Sequence, residues 1–187
     1  LRARPAMGNR VQRGDLVYQW VVVQLAGGDE SRRIYLSSEA PTTRYQAENQ
    51  YPDDGLPGII RIAYENSDGR RLEADELWCL LIFELFNIKN GPFWDRLSFL
   101  AQRGRISRAA YIERSAALEY YALERTWKFF EAVWVPFVNS KGHPVDVAAW
   151  GSCHVPPTFK EWKATWRTGA YPYDIFGPYF DQLTKGN

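Results

Sequence analysis

The chain has 187 residues, of which 45% are apolar and 24% charged, and its formal net charge is +1. Such a composition belongs to an ordinary folded domain, long enough to bury a sizeable core without staples. The near-zero net charge gives no global field to draw the chain to nucleic acid or anionic lipid.

Aromatic residues reach 16%, with 8 Trp, so a few bulky rings can build much of the core. The 2 Cys, Cys79 and Cys153, are too few for a disulfide framework and lack metal-ligand spacing; a single bridge between them stays open. No apolar run approaches the roughly 20 residues of a transmembrane helix, so no membrane span is expected. The chain begins at Leu1 rather than Met, which reads as a processed or trimmed form.

In chain order, residues 1–13 carry four arginines and no periodicity, and read as a flexible arm. Residues 14–187 read as one α+β domain: a small N-terminal antiparallel sheet followed by a helical body around a buried central helix. Leu16 to Leu25, rich in β-branched and aromatic residues, is expected to be a strand, paired as a hairpin with Arg33 to Ser37. Glu39 to Gly58 reads as a long polar loop with one short helical turn around Thr43 to Asn49. Ile59 to Tyr64 is a third strand, with Arg61 among apolar neighbours.

Glu73 to Ile88 is the most apolar stretch, and its apolar residues fall on every side, which predicts a helix buried all round. Glu84 sits in its middle with Asn87 one turn on. A buried carboxylate needs a partner, a proton or a role. Gly91-Pro92 closes this helix, and Phe93 to Arg103 forms a shorter one. Ser107 caps a long helix expected to run to Val135, where Pro136 stops it. Glu119 falls on its apolar stripe between Ala116 and Leu123. Thr158 and Glu161 form a capping box for a short helix carrying Trp162 and Trp166, and Ile175 to Leu183 is a final aromatic helix.

The order of strand, helix with an internal Glu, and later helix with an inward Glu resembles the zincin-like zinc metallopeptidases. In their His-Glu-x-x-His motif two His one turn apart bind zinc and the Glu polarises water. Aligned on the Glu, this chain reads Phe83-Glu84-Leu85-Phe86-Asn87. The Glu is matched and both His are replaced, by Phe83 and Asn87, while Glu119 takes the place of the later glutamate. The resemblance implies a degenerate, metal-free member of that fold, with no cofactor and no metal site. A non-catalytic binding or structural protein is the resulting expectation, with another protein as one partner class.

The alternative is a hydrolase using Glu84 and Glu119 as acid and base, or Cys153 with a histidine, His154 or His143. No Gly-x-Ser-x-Gly elbow, phosphate-binding glycine loop or dinucleotide fingerprint is present. The plain structural reading of Glu84 is a buried acid neutralised by Arg61 or Arg125. Asn87, Trp162 and Trp166 are the candidate binding residues, the two tryptophans as a stacking platform or as core. The substrate and the compartment are not legible.

Overall fold

The computed structural model describes residues 34–37, 46–50, 58–63, 65–66 and 68–185. Three short strands, β1 (Ile34–Ser37), β2 (Ala47–Gln50) and β3 (Gly58–Ile62), form one sheet in the order β1-β3-β2. β2 runs antiparallel to the central β3, while β1 runs parallel to it. The arm at 1–13 and the strand expected at Leu16 to Leu25 lie outside the described residues.

The helical turn expected around Thr43 to Asn49 is corrected at its C-terminal end, where β2 is a strand. Ala-Glu-Asn-Gln has no intrinsic β preference, and tertiary pairing overrides propensity here. Glu48 lies directly opposite Arg61 and pairs with it at 3.5 Å, the kind of cross-strand contact that stabilises a register. The period of two then puts Ala47 and Asn49 on the face shared with Ile60 and Ile62. That face is turned to the helices: Ala47, Ile60 and Ile62 are all buried.

Helix α1 (Ala74–Lys89) is the expected central helix. Glu73 and Glu76 close a capping box at its start, and Trp78, Cys79, Leu81, Ile82, Glu84, Leu85 and Ile88 are buried along it. Asp75, in its first turn, accepts the indole N–H of Trp134 at 2.5 Å and that of Trp150 at 3.1 Å. One carboxylate thus satisfies two ring donors that burial would otherwise leave unpaired. Asn90 ends α1 and donates its side-chain amide to the Leu118 carbonyl at 3.0 Å. Helix α2 (Gly91–Gln102) follows at once.

Helix α3 (Arg108–Phe129) starts at Ser107, whose Oγ accepts from the Ala110 N–H at 3.3 Å. Pro136 does not stop it, contrary to the sequence expectation. The chain passes through a π-helical turn, Phe130–Trp134, directly into α4 (Val135–Ser140), with Pro136 in the first turn of α4. The wider turn resets the hydrogen-bond register, with the Val135 N–H bonded to the Phe130 carbonyl five residues back, and the helical path continues past Pro136.

A 3₁₀ segment, Ala148–Cys153, then crosses α1, and α5 (Phe159–Lys163) and α6 (Tyr173–Thr184) complete the chain. The protein is therefore α+β, a small N-terminal sheet followed by a helical body around α1. No helix among the described residues is long and apolar enough to cross a membrane.

Two apolar clusters hold this body. The larger joins β3 and α1 to Phe129, Phe130, Trp134, Val138 and the fully buried Trp150. The smaller joins α2, the start of α3 and Phe176 of α6. Arg108 fastens α6 to α3 through a two-point ion pair with Asp181, at 2.8 and 3.0 Å. Gly177 makes room for it, since a Cβ there would collide with the guanidinium.

Candidate functional site

Between β2, α1, α3 and α6 lies a cavity of about 700 Å³. Its walls are mostly apolar and aromatic, from Leu80 and Phe83 of α1, Leu123 of α3, Trp94 of α2, and Ile175 and Phe176 of α6. Its polar groups include Gln46, Glu48 and Asn49 at β2, Glu84 and Asn87 on α1, Glu119 on α3, Ser152 and Cys153 of the 3₁₀ segment, and Tyr171 before α6.

Helical spacing puts Phe83, Glu84 and Asn87 on the cavity side of α1, which is why a helix buried all round can still present a carboxylate to a space. Glu84 is 5% exposed. Asn49 Nδ2 donates to its Oε2 at 2.5 Å, and the nearby Asn87 amide also favours its ionised form. Burial nevertheless dominates, and with the nearby Glu119 charge it pushes the Glu84 carboxyl up from 4.5 to about 7, against the lowering by Asn49.

Glu119 is also raised by burial, and is opposed by Tyr171, whose hydroxyl donates to Glu119 Oε2 at 2.7 Å. Tyr171 is pushed up in turn, by burial and by that carboxylate. Two carboxyls therefore share one low-dielectric cavity, with Glu84 keeping its proton to near neutrality. Asn87 Oδ1 is a buried acceptor without a hydrogen-bond donor.

The arginine neutralisation expected for Glu84 is not what holds it. Arg61 pairs with Glu48, and Arg125 is exposed on the far side of α3. The Asn49 amide serves instead.

Cys153 also lines the cavity, but its partner is Cys79, at 3.3 Å between sulfurs, and both thiols are free and buried. Within this pair Cys153 is the thiol that is lowered, through the hydrogen bond with Cys79, and Cys79 is raised by the same contact and by burial. His154 follows directly, but it is exposed and its ring lies on Trp127, 4.4 Å between centroids. His143 is exposed in the loop after α4. Trp162 and Trp166 are half-buried against the smaller cluster, edge to face with each other at 5.8 Å and joined to Tyr120, Phe159 and Tyr171.

Sequence reasoning singled out Glu84, Glu119 and Asn87, and the structure brings them together. It missed Asn49, which sits in a segment without strand composition, and Tyr171, which lies between the Trp162/Trp166 helix and the final aromatic helix.

A zinc of the kind the zincin-like peptidases carry does not fit these residues. Phe83 offers no donor, Asn87 offers a weak neutral oxygen, and among the described residues no three His, Cys, Asp or Glu side chains gather in a metal-holding group. No family model, curated protein or solved structure matches the chain.

Proposed function

We propose that the chain is a non-catalytic binding protein on a degenerate zincin-like scaffold, and that the cavity at Glu84 is its binding site. The observation that carries this reading is the cavity itself. Its volume of about 700 Å³ lies in the range of small-molecule sites, with converging polar groups on otherwise apolar walls. The scaffold reading is supported by the glutamate on the helix after the sheet, faced by a second glutamate from a later helix, with Phe83 and Asn87 in the ligand positions. Losing both imidazoles removes the Lewis acid that a zincin uses, and leaves the cleft that its substrate would occupy.

A second reading is favoured by one specific observation. Glu84 holds its proton to about 7 beside a second carboxyl, which is how acid and base roles are divided in hydrolases that use two carboxyls. In that reading Glu84 is the acid and Glu119 the base.

Ligand-observed NMR against a mixed small-molecule library separates the two. The binding reading expects ligands that are recovered unchanged and that are displaced when Leu123→Trp fills the cavity. Cleaved library members whose loss is abolished by Glu84→Gln would establish the hydrolase instead. An absence of any ligand sensitive to Leu123→Trp would refute the cavity as a binding site.

A further inference from the structure

The chemistry of the cavity is lopsided. No Lys, Arg or His appears among the described residues that line it, while Glu48, Glu84, Glu119 and Asn87 Oδ1 all offer acceptors. The donors seen to bond the two buried carboxyls are already committed, Asn49 to Glu84 and Tyr171 to Glu119. An anionic ligand would meet three acids, and no cationic side chain among the described lining residues. A ligand rich in acceptors would leave the Asn87 oxygen stranded, a buried polar group without a partner. Around these acceptors stand aromatic rings, Phe83, Trp94, Tyr111, Phe176 and Tyr179, whose faces attract cations.

Resting on the reading of this cavity as a binding site, we propose that its ligand is a small organic ammonium ion, a protonated amine on an apolar or aromatic body. Its N–H groups go to Glu84, Glu119 and the Asn87 carbonyl oxygen, and its body packs along Leu80, Leu123 and Ile175. These three acceptor groups, presented by two helices, suit the three N–H donors of a primary ammonium.

Binding is then linked to protonation. The groups facing Glu84 are Glu48 from β2, itself paired with Arg61 of β3, Glu119 from α3, and Tyr171 before α6. The thiols of Cys79 and Cys153 stand further along the wall. Of these, Glu84 changes charge near neutrality. A cation favours its ionised form, so complex formation releases a proton below pH 7. Between pH 6 and pH 8 the ionised fraction of such a group rises about tenfold, and apparent affinity follows that fraction.

The test is titration calorimetry with 2-phenylethylammonium, 2-phenylethanol and 3-phenylpropanoate at pH 6 and pH 8, in buffers of different ionisation enthalpy. The expected result is that the ammonium alone binds well, about tenfold more tightly at pH 8, with proton release at pH 6. Glu84→Gln should abolish the pH dependence, and Glu119→Gln should weaken binding at both pH values. Equal or tighter binding of the alcohol or the carboxylate would overturn the ammonium assignment while leaving the cavity a binding site. Ammonium binding without pH dependence would also overturn it. If none of the three binds at millimolar concentration, the ammonium assignment falls. The cavity reading falls with it only if the library screen is also empty.

Discussion

Replacing Glu84 by Gln tests the electrostatics of the buried helix directly. Glu84 is 5% exposed and its carboxyl sits at about 7 against an ordinary 4.5. Because the folded value is the higher one, the folded chain holds a proton that the unfolded chain has lost between those two pH values. Stability contributed by this residue is therefore greatest below about pH 4.5 and falls as pH rises to 7, with no further loss above that. At about 1.4 kcal/mol per pH unit the ionised side chain costs roughly 3 kcal/mol at pH 8.

Gln is close in shape to the protonated acid, and its side-chain oxygen can still accept from Asn49. Glu84→Gln should thus be nearly neutral at pH 4 and stabilise the fold by roughly 3 kcal/mol at pH 8. For a chain of this length that corresponds to about 10 °C in melting temperature. Urea denaturation of both proteins at four pH values from 4 to 8 measures the difference. A destabilisation of roughly 3 kcal/mol at pH 8 would refute the reasoning, because it would mean that a cation neutralises Glu84 and is stranded by the substitution.

Other outcomes follow from the same geometry. Asp75→Ala leaves the Trp134 and Trp150 indole donors unpaired and should cost about 2–4 kcal/mol by denaturant melting. Ser107→Ala removes the cap on α3 and should cost about 1 kcal/mol. Alkylation of denatured protein without reductant, read by mass, should tag both cysteines, and unmodified protein would show that Cys79 and Cys153 are bridged. Elemental analysis of protein purified without chelator should find no stoichiometric zinc, and one zinc per chain would contradict the loss of the metal site.

The central helix was legible because a run of apolar residues around the whole circumference can be accommodated only by burial. Glu84 and Glu119 stood out for the same reason, each being a charge on an apolar surface. The Asn49 contact was illegible: its strand forms through pairing with β3 and has no strand-like sequence of its own, so nothing local placed it over α1. Pro136 misled because its effect depends on register: it always lacks its own N–H, and the preceding π turn shifts the carbonyl that this N–H would have met. An acid in the first turn of a helix, as Asp75 is, suits the helix dipole by itself, and only the fold supplies the two indoles, 59 and 75 residues further along the chain, that it binds. The expected arginine partner failed on direction, since Arg125 shares α3 with Glu119 but points outward to solvent.

One buried carboxyl, Glu84, holds its proton to near neutrality and gives it up when a cationic donor enters the cavity. Carbon-13 NMR of the Glu84 side-chain carboxyl, assigned through Glu84→Gln, follows that proton without an activity assay. The account predicts a titration midpoint near 7 that moves to lower pH when 2-phenylethylammonium is added. A midpoint near 4.5 in the free protein, or one that the ammonium leaves in place, would contradict it.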